Sequence, residues 1–238
     1  MTVLLVVAKA PVPGAVKTRL CPPATPTQAA RIAAAALRDT LEAVAATVAA
    51  GGGTPVLALA GRLVDAEDGV DLAATVAGWP VLPQRGDGFA DRLAHAHADV
   101  AHAYPGRPVL QIGMDTPQVT PALLADAVRR LSAPGVDAAL GPAADGGWWA
   151  LGLRDPRRAA ALRAVPMSTA DTGRLTYAAL LAAGLRVGAL PTLRDVDDWA
   201  DARAVARVVP GGRFAREVAA LRPAVVAMSP DRRPKAVR

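Results

Sequence analysis

Residues 3–8, VLLVVA, form an unbroken apolar run rich in β-branched side chains, and this run narrows the fold more than any other feature. A strand wetted on one face alternates apolar and polar residues, whereas a continuous run suits a strand buried on both faces. Similar runs recur at residues 55–60, 81–82 and 109–113. Between them the period changes to that of a helix. Leu37, Leu41, Val44 and Val48 follow a cap at Thr27, and Phe89, Leu93, Ala96 and Val100 form a second stripe opposite Asp91, Arg92 and Asp99. Leu124, Ala127, Val128 and Leu131 form a third, behind Thr120 as cap and Pro121 at the first helical position. Up to Ser132 the order is β-α-β-α-β-α-β-α with short connections, the signature of a parallel, doubly wound sheet. Beyond it, residues 138–141 and 148–153 read as strands flanking the turn Asp145-Gly146-Gly147. Helices near 158–165 and 171–183, a strand at 185–190 and a helix at 199–208 complete the chain. The expected fold is α/β, a single-domain, doubly wound, mostly parallel mixed sheet over residues 1–222. Residues 223–238 read as a flexible, basic Pro/Arg-rich tail.

Composition excludes several classes. With 52% hydrophobic residues the chain has ample apolar surface to offset its conformational entropy, so disorder throughout is excluded. The longest Ala-rich stretch contains Arg38, Asp39 and Glu42, which a lipid-facing helix would not carry. The N-terminus lacks a basic segment and its apolar stretch is too short for a secretory leader. Cys21 is the one cysteine, so neither an intramolecular disulfide nor a cysteine zinc cluster is expected, and a cytoplasmic location is. The net charge is +6, but Arg232, Arg233, Lys235 and Arg238 against Asp231 place half of it in the tail. With two Phe and two Tyr there is little to stack on bases, so no nucleic-acid partner is expected. His95, His97 and His102 lack the i, i+4 spacing of a metal pair and read as surface residues.

Ligands of open parallel sheets bind beyond the carboxyl ends of the strands, and four segments fall there. Residues 9–20 follow the first strand. Two prolines and Gly14 shape this loop, while Lys17 and Arg19 supply a point charge and a guanidinium fork suited to a polyphosphate. The loop is neither a Walker A motif nor G-x-G-x-x-G; the plainer reading is a solvated basic loop. Gln84 to Arg92 places Gly86 and Gly88 before a helix, where backbone N–H groups either read a nucleotide or simply start the helix. Asp115 ends a buried strand, as turn chemistry or as a magnesium ligand. Asp195 and Asp197 share one side of an extended segment, as partners for a cation or as a solvated helix start. The turn Asp145-Gly146-Gly147 with Trp148 reads as a hairpin, and also as a wall for an acceptor.

Together these segments resemble the nucleotide-diphospho-sugar transferase superfamily, with its glycosyltransferase-A fold. They are most similar to a bacterial family of glycosyltransferase-like proteins sometimes linked to arsenosugar biosynthesis. Its opening A-K-x-P-x-P-G-x-x-K-T-R-L stands at residues 8–20, its G-x-D-x-P at 113–117 and its G-P-x-x-D-G-G-[YW] at 141–148. A D-[IV]-D stands at 195–197. The loop also resembles that of the guanylyltransferases acting on phosphoenolpyruvate or 2-phospholactate, although Asp145-Gly146-Gly147-Trp148 replaces their acid-binding segment. The resemblance implies a nucleotide site with Ala8, Lys9, Pro11, Gly14, Lys17, Arg19, Gln84, Gly86, Gly88 and Asp115. It implies Mg2+ (or Mn2+) on Asp115 with Asp197 and Asp195, and an acceptor pocket of Asp145, Gly146, Gly147 and Trp148.

The expected activity is magnesium-dependent transfer from a nucleotide sugar to a small-molecule acceptor, with Lys17, Arg19 and Asp115 stabilising charge and Asp145 as general base. Nucleotidyl transfer with release of pyrophosphate is the alternative, and a non-catalytic nucleotide-binding protein the third reading.

Overall fold

The computed structural model describes residues 1–221; the expected tail at 223–238 lies outside the described residues. The opening apolar run becomes β1 (Val3–Lys9), in which Val3, Leu4, Leu5 and Val6 are fully buried. It sits centrally, paired in parallel with β2 (Thr54–Ala60) and β4 (Val109–Gly113). The short β3 (Val81–Pro83) extends this side beyond β2. On the other side β6 (Trp148–Leu153) runs antiparallel between β4 and β5 (Ala138–Pro142), and β7 (Val187–Ala189) pairs in parallel with β5. The sheet order is β3-β2-β1-β4-β6-β5-β7, with β6 the one reversed strand. This is the mostly parallel mixed sheet expected. The strand read at 185–190 shortens to β7.

Helices cover both faces. On one lie α1 (Pro26–Ala49), α2 (Gly69–Thr75) and α4 (Pro121–Ser132). On the other lie α3 (Phe89–Ala103), a 3-10 stretch at Pro156–Ala164 where an α-helix was expected, and α5 (Thr172–Ala182). α1 is apolar nearly all round because its outer side is covered in turn by α6 (Trp199–Val208) and α7 (Arg213–Ala220). Its alanines leave room for both neighbours. The cap of α1 is Thr25 rather than Thr27: Thr25 Oγ1 accepts from Gln28 N, Gln28 Oε1 accepts from Thr25 N, and Pro26 takes the first helical position. Thr120 caps α4 as expected. No helix among the described residues is long and apolar enough to cross a membrane.

His97 is not a surface residue. It is fully buried, and its Nε2 donates to Gln111 Oε1 at 2.9 Å. It lies four residues after Leu93 and three before Val100, on the stripe that packs against the sheet. Burial pushes its pKa down to about 4, only partly opposed by the Gln111 bond. The unfolded chain takes up this proton near pH 6.5, and the folded chain resists it until about 4. The associated stability is therefore complete above pH 6.5 and drains away as pH falls through that window, by at most ~3 kcal/mol. Urea midpoints measured between pH 7 and 4.5 should fall less steeply in His97→Gln than in the wild type. Parallel profiles would show that His97 does not titrate this way.

Candidate active site

The carboxyl ends of β1 and β4 open into a cleft of about 690 Å³. After β1 the chain turns through a loop stitched by its own groups: Lys9 Nζ donates to Ala15 O at 2.8 Å, and Ala15 N to Val12 O at 3.0 Å. The loop ends at Lys17, whose φ of 48° is a left-handed conformation that lysine adopts only under constraint. This aims the ammonium at the ends of the strands. Lys17 Nζ lies 2.9 Å from Asp115 Oδ1 and 3.5 Å from Asp197 Oδ1, and Arg19 lies 3.6 Å from Asp197 Oδ2. The Lys17 side chain is only 10% exposed, whereas Asp115 and Asp197 remain more than a third exposed. Burial works against the Lys17 charge, but Asp115, then Asp197 and Asp195, outweigh it and hold the pKa above its ordinary value.

Asp115 and the Asp195–Asp197 segment are far apart in sequence yet joined by backbone. Val196 N donates to Asp115 O at 3.0 Å, and Gln118 Nε2 to Arg194 O at 2.6 Å. Val196 is buried, so Asp195 and Asp197 on either side of it both reach the cleft wall. The helix-start alternative belongs to Asp198, which caps α6 in a capping box with Asp201. Asp195 is pushed up to about 7, first by burial and then by the charges of Asp145, Asp197 and Asp115. Its Oδ1 is shielded from solvent and has no hydrogen-bond partner among the described residues. Among the described residues, no group of three His, Cys, Asp or Glu side chains is already arranged to hold a metal. Lys17 instead joins Asp115 to Asp197. The donor set nonetheless suits a hard divalent cation: carboxylates that repel one another, one of them with an unpaired shielded oxygen.

The hairpin joining β5 to β6 supplies Asp145, Gly147 and Trp148 to the same cleft. Asp145 is exposed and its Oδ1 accepts from Gly147 N at 2.8 Å. Trp148 is half-buried and its indole donates to Thr176 Oγ1 at 3.1 Å. Gly146 turns away from the cleft and makes the fit to the segment before α5. Its φ is 91°, and a Cβ there would lie 1.9 Å from Ala170 O. Gly173 N closes the contact on Gly146 O at 2.7 Å. Gly146→Ala is therefore expected to destabilise the protein by roughly 2–4 kcal/mol and to loosen the segment around Ser168. Chemical denaturation checks the first effect and limited proteolysis the second; a variant as stable as wild type would mean that the turn does not bear this contact.

Residues 40–169 match the model of a family described as an uncharacterized protein conserved in bacteria. The chain belongs to this family, DUF2064. The matched stretch of this DUF2064 protein contains Asp115 and Asp145, and Lys17, Arg19, Asp195 and Asp197 lie outside it. No match was found among curated proteins. The DUF2064 chain is similar to the crystal structure of a proposed nucleotide-diphospho-sugar transferase from Desulfovibrio desulfuricans G20, at 26% identity and a TM-score of 0.77. That match covers 92% of this chain and 94% of the other. A nucleotidyl transferase from Methanothermobacter is 18% identical with a TM-score of 0.50, covering 88% and 98% of the two chains. CMP:2-keto-3-deoxy-manno-octonic acid synthetase, solved with CTP, is 13% identical with a TM-score of 0.50, covering 88% and 99%. These last two share the fold.

Not every expected residue of the DUF2064 protein meets the cleft. Ala8, Lys9, Lys17, Arg19, Gln84, Asp115, Asp145, Gly147, Trp148, Asp195 and Asp197 line it; Pro11, Gly14, Gly86, Gly88 and Gly146 do not. Pro11 is buried and its carbonyl accepts from Glu67 N, while Gly14, at φ 76°, turns the loop. Gly88 caps α3, and at Gly86 a Cβ would lie 2.4 Å from Asp91 Oδ2. Gln84 spends its amide donors on Ala8 O and Ala58 O, pinning the ends of β1 and β2, which leaves only its carbonyl for a ligand. Arg92 and a three-residue segment escaped the sequence reading. Arg92, placed there on the polar side of α3, lines the cleft, as do Met167, Ser168 and Thr169. Ser168 has φ 60°, a strained backbone at the cleft wall.

Proposed function

We propose that this protein is a divalent-metal-dependent transferase that moves a sugar from a nucleotide-activated donor to a small-molecule acceptor. The observation that carries this is the Lys17–Asp115–Asp197 contact with Arg19 beside it, at the carboxyl ends of the two central strands. The likeness to the Desulfovibrio protein over nearly the whole chain supports the same reading. In it, Lys17 and Arg19 meet the donor's phosphates and stabilise the diphosphate as it leaves. Asp115, Asp197 and Asp195 would hold Mg2+ (or Mn2+), which when bound supplies a positive charge across the phosphate oxygens. The acceptor hydroxyl attacks the sugar's anomeric carbon, the bond to the phosphate oxygen breaks, the nucleoside diphosphate departs and Asp145 takes the hydroxyl proton. Trp148 and Gly147 form one wall for the acceptor.

Nucleotidyl transfer is the second reading, favoured by Lys17 and Arg19 standing together on one loop, which suits a leaving pyrophosphate. There the acceptor oxygen attacks the α-phosphorus of a nucleoside triphosphate. A thermal-shift panel of nucleoside triphosphates and nucleotide sugars, with and without magnesium, tests both: a ligand at 100-fold excess over its dissociation constant adds about 2.7 kcal/mol of stability. Released nucleoside diphosphate identifies the first chemistry and released pyrophosphate the second. If no nucleotide of either kind stabilises the protein, both fail.

A further inference from the structure

Among the described residues four cationic side chains line the cleft, and three of them are committed. Lys9 Nζ bonds to Ala15 O, Lys17 to Asp115 and Asp197, and Arg19 to Asp197. The fourth, Arg92, is not. Its neighbours on α3 are paired, Asp91 with Arg163 at 2.8 Å and Asp99 with Arg85 at 2.5 Å. Among the described residues Arg92 itself makes no ion pair, and its Nε, shielded from solvent, has no hydrogen-bond partner. With Nε shut in by protein, the outer N–H groups on Nη1 and Nη2, which make no bond among the described residues, are the ones a ligand oxygen in the cleft can meet.

Arg92 is also placed apart from the carboxylate cluster. Ala8, Val16 and Met114, beside Lys17, belong to the core on the α1 side of the sheet, whereas Trp148 and Met167 pack on the α3 side. The cleft therefore straddles the end of the sheet, with Lys17 over one face and Arg92 rising from the first turn of α3 on the other. The α3 side also carries the Trp148 wall and the Ser168 segment. We infer that Arg92 anchors a second anion subsite and that the acceptor carries an oxyanion group, carboxylate or phosphate, gripped by this guanidinium. A planar fork matches either group through two parallel N–H···O bonds, which a lysine cannot reproduce. The word acceptor rests on the transferase reading above; the subsite itself does not.

The test uses the full chain and two simple probes, inorganic phosphate and glycolate, titrated calorimetrically into wild type, Arg92→Gln, Arg92→Lys and Arg19→Ala. Wild type and Arg19→Ala are expected to bind at least one probe. Arg92→Gln should weaken that binding about tenfold or more, and Arg92→Lys by a smaller factor. The probe that responds tells phosphate from carboxylate. Affinity for the nucleotide found in the panel should stay within about threefold of wild type in Arg92→Gln. The inference is overturned if wild type binds neither probe, or if Arg92→Gln binds both as wild type does. It is overturned equally if nucleotide affinity falls in step with probe affinity, which would assign Arg92 to the donor. Arg92-dependent probe binding in a protein that binds no nucleotide would keep the subsite and sink the transferase reading.

Discussion

Asp115→Asn should lower turnover by about three orders of magnitude, the scale of several kcal/mol of charge stabilisation lost from a metal-assisted step. Asparagine preserves the shape of the side chain and removes one negative charge. The backbone contact between Asp115 O and Val196 N is untouched by the change, so the segment carrying Asp195 and Asp197 keeps its place. What disappears is the proposed metal ligand held most rigidly, just beyond the end of a buried strand. The decisive measurement is a magnesium titration of nucleotide affinity, expected to be steep in wild type, shallower in Asp197→Asn and flat in Asp115→Asn. A wild-type response in Asp115→Asn would place the metal elsewhere and remove the centre of the proposed mechanism.

Lys17→Met should produce two opposite effects. Affinity for a nucleotide with two or more phosphates should fall about 10- to 100-fold, the worth of one charge-assisted hydrogen bond, while affinity for the free nucleoside barely changes. Binding of magnesium in the absence of nucleotide should rise, because Lys17 now neutralises the carboxylates proposed to hold the metal. Methionine keeps most of the aliphatic stem, so packing in the loop changes little. Isothermal titrations with magnesium alone, nucleoside and nucleotide separate the effects. Equal losses for nucleoside and nucleotide would exclude Lys17 from phosphate binding, and unchanged magnesium affinity would show that lysine and metal do not share ligands.

The sheet was legible because its strands are buried on both faces, which leaves a continuous apolar run in the sequence. The Asp115 and Asp195–Asp197 segments were legible as carboxylates at strand ends, for a reason tied to topology rather than to any one residue. Other features were not. His97 carried a readable signal, since it falls on the stripe of Leu93 and Val100, but a polar name concealed a buried position. Thr25 lost to Thr27 because the sequence offers two threonines on either side of Pro26, and the reciprocal bond with Gln28 decides between them. Arg92 is indistinguishable by spacing from a solvated face of α3. The Ser168 segment has no motif; what brings it to the cleft is the fit between Gly146, Ala170 and Gly173, a contact between distant turns that no local pattern encodes. Likewise Gln84 has the composition of a base reader, and only the register of β1 and β2 shows that its amide is spent on their carbonyls.

The tie between Val196 and Asp115 makes half of the carboxylate cluster separable from the sheet. Asp195 and Asp197 flank the buried Val196 on a linking segment outside the sheet. It is tied to the turn after β4 by the Val196 N bond and the Gln118 amide, to the hairpin by Ala144 N to Leu193 O, and to Lys17 and Arg19 by ion pairs. Segments so held can open without the rest of the molecule unfolding. Amide hydrogens there would then exchange faster than those of β1, and a bound nucleotide and metal would slow them selectively. Ligand occupancy and local opening of this one segment then become two readings of one equilibrium.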